Sequence, residues 1–288
     1  MNFKSISFYL SLFCFPISFL AFINILYASY FDYLLSINTY FTASIFSLFI
    51  GGGLWYYGRN ASKNIDFIEQ LILIVSAYFL TSILIAIPFY LSNYQVTFIN
   101  SVFESVSGLT GTGFSIFKNI KYLDPTLILW RSSSQWIGGL FFLLILTIIF
   151  SNKSFNYKMT NLAFSGESNF KSEENIKDNI LKIFIIYSIL TLIILTLLSF
   201  SGLRLFNSLN MSMTLISGGG FLPTDSINKI VFTNFQKIIF IFSLFLSMLN
   251  FYLIFNLFNK KILIKEHKED LYLIVACIIF FILIYFNN

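Results

Sequence analysis

The sequence is poor in residues that carry chemistry. Charged residues make up 11% of the 288 positions against 57% hydrophobic residues, and there are one histidine and two cysteines. Water cannot solvate so apolar a surface, which excludes a soluble globular protein. The single histidine, His267, lies in a basic polar stretch, and no Ser/His/Asp or metal-ligand pattern accompanies it, which disfavours a membrane enzyme. Cys14 and Cys277 lie in apolar runs, where we expect them to pack as small hydrophobic residues.

Long apolar runs dominate what is present. A helix of about 20 residues crosses a hydrocarbon layer about 30 Å thick, and seven runs approach or exceed that length. They cover residues 7–30, 36–57, 67–93, 125–151, 178–203, 229–258 and 271–286. We therefore expect an all-α integral membrane protein with about seven transmembrane helices.

The basic residues predict an orientation, since Lys and Arg near span ends are retained on the cytoplasmic side. With the N-terminus inside, 12 of the 18 basic residues fall at the N-terminus or in and beside the loops 58–66, 152–177 and 259–270. The formal net charge of +5 is then a topology signal and gives no support to nucleic-acid binding. We expect a multi-pass protein in the lipid of the plasma membrane, with a cytoplasmic N-terminus.

Two polar, glycine-rich stretches interrupt the apolar runs and match each other. SVSGLTGTGFSIF at 105–117 aligns without gaps with SMTLISGGGFLPT at 212–224, at a constant separation of 107 residues. A short helical stretch precedes each copy, at 97–109 and 205–216, and long apolar runs lie on both sides. The pattern indicates an internal duplication, each copy consisting of a helix, a half-helix, a loop and a helix.

Such a loop is informative because irregular backbone at membrane depth is tolerated only where it is buried in protein or lines a water-filled path. A half-helix that ends in mid-membrane turns its partly negative C-terminus inward, which favours a cation. Gly113 and Gly220 can adopt backbone angles closed to other residues, and rings of carbonyl oxygens can replace the hydration shell of a potassium-sized ion. The spacing predicts cation conduction. The Gly and Ser residues have an alternative explanation, the close packing of transmembrane helices. The occurrence of two matching stretches in the same structural context disfavours it.

These residues resemble the Trk/Ktr/HKT superfamily of potassium transporters, in particular its TrkH-type membrane subunit. FESVSGLTGTGFSIF (103–117), followed by LWRSSSQWIGGL (129–140), resembles the first pore repeat, and ISGGGFLPTD (216–225) resembles the second filter. The resemblance implies potassium uptake through a pore by partial dehydration of the ion. K⁺ is then the transported ion, and no covalently bound cofactor is expected.

The resemblance also implies a selectivity filter built from two short strands. Its residues are Thr110, Gly111, Thr112 and Gly113 in the first repeat and Ser217, Gly218, Gly219 and Gly220 in the second. Gly113 and Gly220 correspond to the key glycine of each filter strand. Gly111 stands where the family's first filter commonly has Thr, and we expect a looser strand there.

One ionisable pair is predicted inside the membrane. Arg131 lies about two turns, or about 9 Å, below the start of the helix that begins at Pro125. Because an intramembrane ionisable residue usually has a partner, we expect Arg131 to pair with Glu104 as a structural brace for the first filter loop. Snorkelling of Arg131 to the outer interface is the alternative.

We expect the chain to divide into two leading transmembrane helices (1–66), a first pore repeat (67–151), a cytoplasmic loop (152–177), a second pore repeat (178–258) and a basic loop with the first helix of an incomplete third repeat (259–288). The family's membrane subunits carry four pore repeats, so the resemblance implies a partial pore-forming subunit. The expected partner is a separately encoded second half with two more repeats, or a second copy of this chain. A cytoplasmic nucleotide-binding regulatory subunit is a further expected partner, on the resemblance alone. A non-conducting truncated remnant or assembly subunit is the alternative.

Overall fold

The structure is a computed structural model that describes residues 2–61, 65–150 and 173–248, together with Tyr272, Val275 and Ala276. Within these residues there is no β-strand, and the predicted all-α class is confirmed. The α-helices are α1 (Phe3–Tyr30), α2 (Leu34–Gly58), α3 (Phe67–Tyr90), α4 (Phe98–Leu109), α5 (Pro125–Phe150), α6 (Glu173–Phe200), α7 (Leu205–Ile216) and α8 (Asn234–Met248). Two short 3-10 helices, Ile120–Tyr122 and Ile227–Lys229, follow the glycine-rich loops.

Four helices in the described part of the chain are long and apolar enough to cross a membrane, and they match four of the seven predicted spans. They are Phe3–Tyr30, Ser36–Gly58, Phe67–Tyr90 and Ile180–Phe200. The 26 residues of α5 are also long enough, at ~39 Å, and they include a polar run at 131–135. Residues 249–258 of the sixth predicted span lie outside the described residues, and so does most of the seventh.

Helix α8, which corresponds to the sixth predicted span, begins later than the apolar run predicts. The run starts at residue 229, but α8 starts at Asn234 because the chain first turns through the second 3-10 helix. Gln236 fixes this start, since its Oε1 accepts hydrogen bonds from the backbone nitrogens of Phe232 (2.8 Å) and Thr233 (3.1 Å). Local backbone capping therefore decides the helix boundary here, rather than hydropathy.

Small residues allow α1 and α2 to pack closely as an antiparallel pair. The hydroxyl oxygens of Ser18 and Ser44 lie 3.0 Å apart in the buried interface. A Cβ placed on Gly51 would lie 3.0 Å from the Cβ of Cys14, so the two backbones are in close contact. Small side chains at helix interfaces permit this approach in membrane proteins. Cys14 is a free, buried cysteine, as its apolar context predicts, whereas Cys277 lies outside the described residues.

Helix α5, the last helix of the first repeat, contacts both repeats. On one side, the indole nitrogen of Trp130 donates to the backbone oxygen of Ile85 in α3 at 3.1 Å. On the other side, the indole nitrogen of Trp136 donates to Thr191 Oγ1 in α6 at 3.0 Å, and the Tyr187 hydroxyl donates to the backbone oxygen of Trp136 at 2.9 Å. The two indoles thus tie α5 to α3 and α6, the long helices that begin the first and second repeats.

The duplication is present in the structure. Both ends of α7 and both ends of the second 3-10 helix lie 107 residues after those of α4 and the first 3-10 helix. The short helices predicted at 97–109 and 205–216 correspond to α4 and α7 within one residue. The short helices on either side of the two loops therefore match in position.

Candidate ion pathway

The first filter loop begins with a defined helix end. Thr110 caps the C-terminus of α4, and Gly111 follows it with φ +70°. The backbone nitrogen of Gly111 donates to Gly108 O at 3.1 Å, and that of Thr112 donates to Ser107 O at 3.1 Å. This pair of bonds with a left-handed residue after the cap is the Schellman motif. It satisfies the last carbonyl groups of α4 and turns the chain into the loop.

The second loop repeats the arrangement bond for bond. Ser217 caps α7, and Gly218 follows with φ +67°. The nitrogen of Gly218 donates to Leu215 O at 3.0 Å, and that of Gly219 donates to Thr214 O at 2.8 Å. Two pore helices therefore end in the same motif at matching positions.

The two loops differ in which of their glycines have positive φ angles. Gly113 has φ +75°, an angle that residues with a side chain rarely adopt, whereas Gly220 is not in the left-handed region. In the second repeat the left-handed residue is Gly218, because the helix end requires it. Gly111 has the same conformation for the same reason. Glycine at 111 therefore adopts without strain the angle that this helix end requires, and the looser strand stays a prediction.

Gly113 and Gly220 bring the two loops together. A Cβ placed on Gly113 would lie 2.8 Å from Gly220 Cα, closer than real side chains come, whereas a Cβ on Gly220 would make ordinary contact with Gly113 Cα at 3.4 Å. Gly220 itself is exposed, and so are the nearby residues Thr110 and Thr112. The two predicted filter strands therefore touch at their key glycines and are open to one side.

Hydroxyl groups hold the first strand against its pore helix. Ser107 Oγ donates to Phe114 O at 2.6 Å, and Thr112 Oγ1 donates to Ser107 Oγ at 3.1 Å. Thr110 Oγ1 donates back into α4, to Val106 O at 2.7 Å. The hydroxyl groups of Ser107, Thr110 and Thr112 thus hold the loop against α4.

The structure brings Glu104 and Arg131 together. Arg131 Nε lies 2.8 Å from Glu104 Oε1, and both side chains are buried, with 1% and 0% exposure. Glu104 also accepts hydrogen bonds from Ser115 Oγ at 3.0 Å and from the backbone nitrogen of Ile116 at 2.9 Å, and Arg131 Nη2 donates to Ser115 Oγ at 2.9 Å. The charges are therefore paired and hydrogen-bonded, as buried charges must be. Snorkelling of Arg131 to an interface is not observed.

Arg131 extends beyond the first loop. Its Nη1 donates to Leu222 O of the second loop at 3.5 Å, and its guanidinium lies 4.2 Å from the ring centre of Phe221. A guanidinium stacked on an aromatic ring in a water-free site is stabilised electrostatically. One side chain from the first repeat therefore contacts both loops.

Phe114 and Phe221 occupy the same position of the two repeats in opposite environments. Phe221 is 2% exposed against Arg131, while Phe114 is 71% exposed. The helix that covers Phe221 is α5, which belongs to the preceding repeat. Within the described residues, the first repeat has no such preceding helix to cover Phe114.

Asp225 forms an exposed polar contact between the repeats beyond the filters. Lys229 Nζ donates to Asp225 Oδ2 at 2.7 Å, and the backbone nitrogen of Lys121 donates to Asp225 Oδ1 at 3.2 Å. These bonds, the one from Lys229 foremost, hold the pKa of Asp225 below its ordinary value. In the part of the chain that the structure describes, no group of three or more His, Cys, Asp or Glu side chains could hold a metal ion.

A comparison of the sequence with known protein families identifies the family of this chain. The TrkH family, described as cation transport protein, matches residues 36–287. The chain belongs to the TrkH family. That family consists of cation transport proteins and is not a family of enzymes.

Individual relatives agree with the family assignment. The chain is 26% identical to the Trk system potassium uptake protein TrkG of Escherichia coli over 258 residues, which are 84% of this chain and 51% of the relative. It is 28% identical over 213 residues to the uncharacterized cation transporter MJ1485 of Methanocaldococcus jannaschii, covering 71% of this chain and 44% of the relative. The chain therefore spans about half the length of these TrkH-family relatives.

A solved structure shows the same fold. The crystal structure of the potassium transporter TrkH from Vibrio parahaemolyticus superposes with a TM-score of 0.76, at 22% identity, over 90% of this chain and 53% of that chain. At this identity the similarity concerns the TrkH fold alone.

Sequence reasoning did not assign a role to Gln135. Its side chain is fully buried in α5, and its Oε1 accepts a hydrogen bond from the backbone nitrogen of Phe221 at 3.2 Å. The residue lies four positions after Arg131, on the same face of the helix. That spacing is the signal in the sequence that would have grouped the two.

Proposed function

We propose that this chain is a pore-forming part of a Trk-type potassium uptake transporter, in which the two glycine-rich loops form two walls of an ion pathway. The observation that carries the proposal is the contact between Gly113 and Gly220, which joins two equivalent pore-helix ends. The names of the relatives, Trk system potassium uptake proteins, supply the ion.

The proposed pathway uses backbone chemistry. Helix C-termini carry a partial negative charge, and α4 and α7 end at the two loops. Carbonyl oxygens of the filter residues then replace part of the hydration shell of K⁺, the transported ion. These residues are Thr110, Gly111, Thr112, Gly113, Ser217, Gly218, Gly219 and Gly220. The Glu104–Arg131 pair braces the loops from behind, where both side chains are buried.

Two walls do not enclose an ion. We propose that further pore repeats complete the ring, supplied by additional polypeptide or by a second copy of this chain. The exposure of Phe114 supports this, because its counterpart Phe221 is covered by the helix of a neighbouring repeat. A cytoplasmic nucleotide-binding regulatory subunit is a further proposed partner, on the family resemblance alone.

The proposed location is the plasma membrane, with a cytoplasmic N-terminus and with both loops entering from outside. Lys4 and Arg59 lie at one end of the helices, since Gly58 packs against the backbone of Lys4. Lys121 and Asp225 lie beyond the filter loops at the other end. The positive-inside rule then favours the first end as cytoplasmic.

Rescue of cells that lack potassium uptake tests the proposal. The chain is expressed alone and together with the remaining two repeats of a TrkH-family transporter, and growth at low potassium and uptake of a potassium tracer are measured. We expect rescue in the complete assembly. Membrane insertion in normal amounts without potassium-dependent uptake in either arrangement would favour a non-conducting assembly subunit.

A further inference from the structure

We propose that one stripe of α5, formed by Arg131, Gln135 and Gly139, positions the second filter, so that the first repeat sets the backbone geometry of its neighbour. Gln135 is the central positioning residue of this stripe. The expected effect of Gln135 on potassium transport rests on the proposed function. The contacts between α5 and the second filter loop do not depend on that function.

The three residues occur at intervals of four, which places them on one face of a helix. Each contacts a different part of the second loop. Arg131 Nη1 donates to Leu222 O at 3.5 Å, and Gln135 Oε1 accepts from the nitrogen of Phe221 at 3.2 Å. A Cβ on Gly139 would lie 2.9 Å from the Cβ of Ser217, so the absence of a side chain lets the filter approach.

A neighbouring stripe of the same helix faces the first repeat instead. A Cβ on Gly108 in α4 would overlap the hydroxyl of Ser134, and a Cβ on Gly138 would overlap the backbone oxygen of Leu109. The intervals of four residues recur here, shifted by one position from the first stripe. Helix α5 is therefore a shared wall, with one face against the first pore helix and the other against the second filter.

Gln135 acts on the second filter through a single atom. Its side chain is fully buried, and its Nε2 has no hydrogen-bond partner among the described residues. The oxygen alone is engaged, with the Phe221 nitrogen. A Cβ on Gly219 would overlap the Gln135 side chain, so amide and filter backbone are in direct contact. The amide thus fixes the filter backbone between Gly219 and Phe221, and within the part of the chain that the structure describes it joins no larger hydrogen-bond network.

This arrangement has a consequence for ion binding. Filter carbonyls coordinate an ion only when the strand holds them in place, and the Phe221 nitrogen anchors the strand immediately after Gly220. Removing the acceptor leaves a buried N–H group without a partner and frees the strand. The expected result is weaker potassium binding, with folding of the helices retained.

Three variants of the full chain separate this role from general packing. Gln135→Met removes the amide acceptor at similar volume, and Gln135→Glu, which is protonated when buried at this position, retains an oxygen at the same place. Ser132→Ala is the matched control, since the Ser132 hydroxyl is buried in the same polar run and bonds only within α5, to Ile128 O at 3.3 Å. Should Gln135→Met not accumulate as folded protein, Gln135→Asn, which withdraws the oxygen by one methylene group, takes its place.

Amide hydrogen exchange of the purified chain in detergent gives the direct readout. In Gln135→Met we expect segment 218–222 to exchange about tenfold faster, while segment 110–117 stays at the parental rate. Gln135→Glu and Ser132→Ala should both exchange at close to the parental rate. Unchanged exchange at 218–222 in Gln135→Met, or equal acceleration in both loops, would overturn the positioning role.

Transport in the complete assembly gives the second readout. We expect Gln135→Met to raise the KM for potassium about tenfold with a smaller change in maximal uptake, and Gln135→Glu to restore the KM. If the parental assembly carries no potassium, the proposed function fails, whereas the exchange experiment still decides whether Gln135 positions the second filter.

Discussion

Gly113 and Gly220 meet between the two filter loops, yet only Gly113 requires glycine for its backbone. Gly113 has φ +75°, and a Cβ on it would lie 2.8 Å from Gly220 Cα. Gly220 lies outside the left-handed region, and a Cβ on it would make an ordinary contact at 3.4 Å. The two key glycines are therefore equivalent in sequence and unequal in structure.

This inequality predicts different results for the two alanine variants. Gly113→Ala places a side chain in a left-handed backbone and against Gly220, and we expect it to destabilise the protein by about 1–3 kcal/mol. Gly220→Ala should change stability little. Thermal unfolding of the two purified variants in detergent measures the difference. Equal losses in both variants would show that the contact, rather than the backbone angle, determines the glycine requirement.

The duplication and the ion pair could both be predicted from the positions of residues in the sequence. A constant separation of 107 residues locates the second loop, and an arginine two turns into an apolar helix needs a partner. The conformation of Gly220 could not be predicted, since the left-handed residue of each loop is fixed by where the pore helix ends. The role of Gln135 was missed because its acceptor bond reaches residue Phe221, 86 positions away, through packing between repeats.

The Glu104–Arg131 pair predicts strong, non-additive effects of substitution. Glu104→Gln or Arg131→Gln alone leaves one charge buried and unpaired, which costs about 3–5 kcal/mol. The double variant should lose less than the sum of the two single variants, because no unpaired charge remains. The amount of folded protein and its thermal unfolding measure these losses, and additive losses would refute the pairing as a brace.

An exposed ion pair provides the control for that cycle. Lys229 and Asp225 lie 2.7 Å apart with side chains that are 56% and 24% exposed. Exposed pairs in water contribute little to stability, so Lys229→Gln should unfold at close to the parental temperature. A loss as large as that of Arg131→Gln would mean that burial is not the cause of the effect.

The proposed orientation predicts which loops can be labelled from outside the cell. Asn60 lies next to the end of α2 and Asn119 lies in the first filter loop, and both are exposed. In a chain in which Cys14 and Cys277 are replaced by alanine, we expect a cysteine at 119, but not one at 60, to react with a membrane-impermeant maleimide in intact cells. Permeabilised cells should label both. Labelling at 60 in intact cells would invert the topology.

The unequal environments of Phe114 and Phe221 predict how the pore is completed. Phe221→Ala removes a buried ring from its contact with Arg131, and we expect a loss of about 3–5 kcal/mol in this chain by itself. Phe114→Ala removes a ring that is 71% exposed and should leave the stability of the isolated chain unchanged. Thermal unfolding of the purified chain measures both.

In the complete assembly the Phe114 variant should behave differently. If a helix of another repeat covers Phe114 as α5 covers Phe221, then Phe114→Ala will lower the thermal stability of the assembly and weaken association of the added repeats. Co-purification of the partner with the parental chain and with each variant measures the association. Phe221→Ala serves as the comparison, because its contact lies within this chain and should not weaken partner binding directly. An assembly that is indifferent to Phe114→Ala would show that the ring faces lipid or the pore entrance, and that the further repeats join the chain at another surface.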